Sequence, residues 1–207
     1  MAAPYSSRDI VEDFLRHRLL SRGVAWRFPL TRRASRQRRR GSASSPSDVT
    51  LHSLQSAPPR LQAALRGASD ELEQRLHRDL SAQLLQRWGS GGAEALRRSL
   101  AAIRDELFRD GVNWGRIVAM MLLGGALSSE VAQAGERGPL DDVIDWMEES
   151  LNSPPIRRWI QDNGGWDAFV ELYESRPPVS FWSLRTVFGL VVLGAAGITL
   201  GALFTQR

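Results

Sequence analysis

The stretch NWGRIVAMMLLGGAL, residues 113–127, decides the fold. Between Trp114 and Leu127 its only charge is Arg116, and apolar residues occupy the whole circumference of a helical wheel. A helix of that kind has to be covered on all sides. Fourteen residues are too few to span a bilayer core of roughly 30 Å at about 1.5 Å per residue, so a central core helix is expected. It needs amphipathic neighbours, and the flanking sequence supplies them.

Upstream, Leu61, Leu65, Ala68, Leu72, Leu76, Leu80 and Leu84 recur at steps of three and four, until the glycines at 89, 91 and 92 interrupt. Ala93, Leu96, Leu100, Ile103 and Leu107 then mark a second amphipathic helix, stopped at Gly111. Nearer the N-terminus, Ser6 or Ser7 can cap a helix whose apolar face is Ile10, Val11, Phe14, Leu15 and Leu19. Gly23 ends it. Downstream, Pro139 with Asp141 and Asp142 opens a helix faced by Leu140, Ile144, Met147 and Leu151, and Pro154-Pro155 closes it. Two short helices follow near Ile156–Gln161 and Trp166–Tyr173, separated by Asn163-Gly164-Gly165. No stretch alternates as a strand does. The expected fold class is all-α.

The 207 residues contain 27 basic side chains, all arginine, and neither lysine nor cysteine. Disulfides, thiolate nucleophiles, sulfur-ligated zinc and lysine chemistry are therefore excluded. The three histidines, His17, His52 and His77, lie apart, and no nucleophile and base are spaced for catalysis. No enzyme activity, metal or cofactor is expected.

The net charge of +4 is an average over unequal parts. Seven arginines and no acid lie between Arg27 and Arg40, and without them 20 basic residues face 23 acidic ones. The body is thus mildly acidic and no nucleic-acid partner is expected for it. Residues 27–59 are rich in serine, proline and arginine and lack any period, which predicts a long disordered loop. Within it, Arg32-Arg33-Ala34-Ser35 fits a basic-directed kinase site with Ser35 as acceptor. The same arginines can instead attract anionic lipid, act as a nuclear signal, bind nucleic acid with steep salt dependence, or form a solvated linker.

At the other end, TVFGLVVLGAAGITLGALF (Thr186–Phe204) is nineteen residues without a charge. That length matches a hydrocarbon core, with Phe181 and Trp182 suited to the interface and arginines at 185 and 207 flanking it. Residues 181–207 are read as a tail anchor and residues 1–180 as one helical domain facing the cytosol; a core hairpin is the other reading of the apolar tail. Gly197 and Gly201 form a GxxxG pair able to join two anchors in a homo- or hetero-dimer.

Four segments together resemble the B-cell lymphoma 2 (Bcl-2) family of apoptosis regulators. ELFRDGVNWGRIVAMMLLGGAL (Glu106–Leu127) is similar to its first homology motif and WIQDNGGWDAFVELYE (Trp159–Glu174) to its second. ALRGASDELEQRL (Ala64–Leu76) resembles the third and SRDIVEDFLRHRLLSRGVAW (Ser7–Trp26) the fourth. NWGR and WIQDNGGW are specific signals, whereas the third motif alone is weak. The resemblance lies closest to survival-promoting members. It implies a bundle of about eight helices around a hydrophobic central hairpin, with a surface groove for an amphipathic helix of a pro-apoptotic relative. It also implies residence at the mitochondrial outer membrane, the endoplasmic reticulum or the nuclear envelope. A pore-forming death effector has the same fold and is the rival reading.

The resemblance carries specific residues to the groove. Ile103, Glu106, Leu107, Ala119 and Leu123 match lining positions, Leu72, Leu76 and Leu80 match a wall, and Tyr173 lies near one end. Asn113 can cap the central helix and also touch the ligand. Gly115 permits close approach by a ligand or simply helix packing, while Trp114 reads as core beside the groove. Arg116 is the isolated charge: it either closes an internal ion pair or faces the groove and pairs with an aspartate on the incoming helix. Leucines at 72, 76 and 80 and the run Met120-Met121-Leu122-Leu123 replace residues that are more aromatic in relatives, which implies a more deformable groove. The stripe containing Asp70 admits a second reading, as a death helix that inserts into a relative's groove.

Overall fold

The protein is described by a computed structural model over residues 6–24, 57–75, 92–135 and 137–175. These residues form seven helices and, among them, no strand: α1 (Ser7–Ser21), α2 (Pro59–Arg75), α3 (Gly92–Phe108), α4 (Trp114–Gln133), α5 (Arg137–Asn152), α6 (Pro154–Asp162) and α7 (Gly165–Ser175). The all-α expectation is met. Most of the expected loop over 27–59 and all of the tail anchor over 181–207 lie outside the described residues.

Helix α4 is the axis of the bundle. It forms a hairpin with α5 and is flanked by α1 and α2, while α2 also carries α7 and α5 also carries α3. Ile117, Val118, Met120 and Met121 have no exposed surface. The helix runs to Gln133 and so is twenty residues long, not fourteen. Past the apolar run, Ser129 Oγ donates to the Gly125 carbonyl at 2.8 Å, which lets a hydroxyl continue inside the bundle. By length and composition α4 can cross a membrane, although two-thirds of its apolar window is buried in protein.

Two adjacent glycines set how closely its neighbours approach. A Cβ at Gly124 would collide with the Met147 thioether of α5, and one at Gly125 would lie 3.1 Å from Phe14 Cε1 of α1. Their missing side chains are what allow α1 and α5 to close on α4.

The amphipathic faces land where their periods point. Ile10, Val11, Phe14, Leu15 and Leu19 of α1 have no exposure, and Leu61, Leu65, Ala68 and Leu72 of α2 at most 1%. Ser6 caps α1, accepting from the Asp9 N–H at 3.1 Å and donating to its carboxylate at 2.8 Å. A Schellman closure ends it, with Val24 N–H on the Leu19 carbonyl and Gly23 N–H on that of Leu20. Pro139 falls inside the first turn of α5 rather than opening it, because the helix starts at Arg137 and the missing N–H has no partner there anyway.

Polar ties fix α1 to its neighbours. Arg8 joins Glu12 at 2.6 Å to Asp145 and Glu148 of α5 at 2.8 and 3.0 Å. Burial opposes its charge, but these three carboxylates outweigh that and raise its pKa. Asp13, itself buried, accepts the Ala57 N–H at 2.8 Å and so fixes the chain just before α2. The last residues of the expected loop, 57–59, are thus part of the helical body.

Candidate functional site

The junction between α3 and α4 carries the most concentrated chemistry. Asn113 has extended backbone, and its Oδ1 accepts the Arg116 N–H at 2.9 Å, so the expected N-cap is present. Starting the helix there aims the Arg116 guanidinium back at the turn. Its Nη1 donates to the Gly111 carbonyl at 2.6 Å, and its Nη2 lies 3.5 Å from Asp110 Oδ2. The Arg116 side chain is 13% exposed, against 67% for Asp110. In the chain alone its charge is satisfied internally. Glu106 stands alongside, half-buried and paired with Arg109 at 2.8 Å.

The remaining groove candidates divide by depth. Ile103, Leu107 and Ala119 are 9%, 4% and 1% exposed and belong, with Leu72, to one continuous core. Leu123 and Tyr173 are partly exposed and pack on that core. Gly115 is buried. Met120 and Met121 are fully buried, so they soften the interior rather than line a surface. Leu76, Leu80 and Ser35 lie outside the described residues.

Trp114 is the hub of an aromatic cluster. Its ring lies 5.1 Å from Trp159, 5.4 Å from Trp166 and 5.1 Å from Phe169. The two most specific stretches of sequence, NWGR and WIQDNGGW, therefore meet through one indole. This is a core position, 8% exposed.

Tyr173 joins α7 to α2. Its hydroxyl donates to Glu71 Oε1 at 2.8 Å, and its ring covers Gly67 so closely that a Cβ there would collide with the phenol oxygen. Burial and the Glu71 carboxylate push the phenol pKa up to about 12. Arg60 and Glu174 form a short ion pair across the same seam.

Helix α2 is committed to its own bundle. Its apolar face is interior, and Asp70 is held by Arg18 Nη1 at 2.9 Å while Arg18 Nη2 holds Glu73 at 2.7 Å. The reading of α2 as an inserting death helix does not describe this chain's structure. Arg18 itself escaped sequence reading, although residue 18 stands seven after Val11 in the apolar register, where an arginine must find buried partners. Asp110 likewise escaped it, and Gly111 was read only as the stop of α3. Among the described residues no three His, Asp or Glu side chains gather to hold a metal ion.

Comparison with known proteins is consistent along the chain. A family model described as apoptosis regulator proteins of the Bcl-2 family matches residues 65–166. Apoptosis regulator Bcl-2 of Gallus gallus is 40% identical over 225 aligned residues, covering 96% of this chain and 94% of the relative. Bcl-2-like protein 1 of Mus musculus is 33% identical over 238 aligned residues, covering 98% and 99%. Apoptosis regulator R1 of Xenopus laevis is 34% identical over 210, covering 97% and 79%.

Proposed function

This chain belongs to the Bcl-2 family of apoptosis regulators, and we propose that it is a survival-promoting member that sequesters pro-apoptotic relatives. It does so by taking up their amphipathic death-motif helix beside the N-terminus of α4, which prevents permeabilisation of the mitochondrial outer membrane. Residues 181–207 anchor it there, or at the endoplasmic reticulum or nuclear envelope, with the helical domain in the cytosol.

The observation that carries the reading is Arg116: a guanidinium at the edge of an otherwise apolar helix, with one fixed carbonyl partner and one exposed acid. Its planar fork suits a carboxylate bidentately, so an aspartate on the incoming helix fixes register. Apolar anchors at helical spacing then have Ile103, Leu107, Ala119 and Leu123 beneath them, with Leu72, Leu76 and Leu80 as the wall. Asn113 caps the α4 start where the incoming helix lies, Gly115 adds no side chain there, and Glu106 and Tyr173 stand at the margins. Trp114 acts from behind by fixing α4 on α6 and α7.

The pore-forming effector is the second reading. It draws on α4 being twenty residues long and apolar enough to cross a bilayer.

The deciding experiment expresses the full chain in cells given a death stimulus and follows cytochrome c release, alongside binding of a fluorescent pro-apoptotic helical peptide to the purified chain. Suppressed release and peptide capture are expected. Arg116→Glu is expected to abolish both, with a binding loss of about 2–5 kcal/mol for a desolvated pair. Spontaneous release on expression favours the effector, and unchanged affinity in the folded Arg116→Glu chain overturns the pairing.

A further inference from the structure

Arg116 is not vacant while it waits for a partner. Its two side-chain contacts differ in kind. The Gly111 carbonyl is backbone, 2.6 Å from Nη1, and Gly111 has φ +102°, a conformation that L side chains rarely adopt. Asp110 is a side chain, 67% exposed and 3.5 Å from Nη2, beyond good hydrogen-bond distance. Asp110 is also shared: its Oδ1 lies 3.6 Å from Arg109 Nε, while Arg109 is held by Glu106 at 2.8 Å. Charges of alternating sign thus run Glu106, Arg109, Asp110, Arg116 along the α3–α4 turn.

We infer that Asp110 is a resident placeholder, occupying the face of Arg116 that an incoming carboxylate takes and swinging to Arg109 when that carboxylate arrives. This deepens the groove reading and rests on it. Gly111 fixes one edge of the guanidinium with a backbone oxygen that stays in place, so the fork is oriented before the partner arrives. Asp110 neutralises the other edge through a long, solvent-exposed contact, which costs little to break. The swap has a ready destination, because Arg109 already faces the second carboxylate oxygen. The consequence is selectivity. A helix with a carboxylate replaces Asp110 like for like, whereas an uncharged helix that displaces Asp110 leaves a largely buried guanidinium with a single acceptor.

The test pairs Asp110→Asn in the full-length chain, held in mild detergent, with two forms of one pro-apoptotic helical peptide, its motif aspartate intact or changed to asparagine. Removing the placeholder should tighten the aspartate peptide about 2- to 5-fold, the scale of an exposed ion pair, and change the asparagine peptide less. Asp162→Asn is the control: that acid has the same 67% exposure but pairs with Arg158 on α6. It should leave both affinities within error. Equal tightening by both substitutions assigns the effect to net charge and overturns the inference. So does weakened binding in Asp110→Asn, which would make Asp110 a direct contact. Failure of the unaltered chain to bind either peptide overturns the groove reading itself, and the inference with it.

Discussion

Arg18 and Glu73, on α1 and α2, meet at 2.7 Å although 55 positions separate them in the chain. The same guanidinium reaches Asp70 at 2.9 Å, and Arg22 shares Glu73 at 3.0 Å. Because the Arg18 side chain is only 8% exposed, its charge depends on these acids.

Arg18→Met keeps the apolar stem and removes the charge, leaving Asp70 to solvent and Glu73 to Arg22. The expected loss is about 1–3 kcal/mol of unfolding free energy, the scale of charge-assisted hydrogen bonds. Urea denaturation measures it. A change within about 0.5 kcal/mol would place the pair with ordinary surface ion pairs.

Trp114→Ala removes the ring on which Trp159, Trp166 and Phe169 converge. A loss of about 3–5 kcal/mol is expected, with Trp114→Phe milder. Near-UV circular dichroism should collapse in the alanine variant while far-UV helicity persists below the transition. Retained near-UV signal would show that α6 and α7 dock without this indole.

Gly124→Ala drives a methyl into Met147, which is itself fully buried. Overpacking of this kind costs about 1–3 kcal/mol. The cost should shrink when Met147→Ala is combined with it, so a double-mutant cycle should show coupling. Additive losses would place the strain elsewhere on α4.

Tyr173 offers a pH test. The chain has two tyrosines, so Tyr5→Phe leaves Tyr173 alone to report phenolate absorbance. Its pKa of about 12 lies above the ordinary 10. Between those values the folded chain holds the phenolic proton and the unfolded chain does not. The contribution to stability is therefore complete below about pH 10 and lost as pH rises toward about 12. Glu71→Gln should lower the midpoint. A midpoint near 10 in the unaltered background would contradict the contact with Glu71.

What could be read in advance follows from the range of each interaction. The buried faces of α1, α3 and α5 were legible because helical period is local: Leu96, Leu100, Ile144 and Met147 announce their side within a few turns. The length of α4 was not, since its apolar run stops at Leu127 and the buried serines that follow carry no apolar signal. The Tyr173–Gly67 contact spans more than a hundred positions, and nothing near either residue signals the other. At the candidate site the cap at Asn113 and the oddity of Arg116 were visible from residue type alone. The occupants of Arg116 were not, because Gly111 contributes through its backbone and Asp110 through a side chain that any turn could carry.

One consequence of the clasp between α1 and α2 concerns the covalent chain between them. Asp13 grips Ala57, and Arg18 and Arg22 grip Glu73, so both helices are held by contacts that need no peptide bond between residues 24 and 57. A single cut there should leave two fragments that travel together as one particle. The bundle thus places the demands of its packing on the helices rather than on their covalent link.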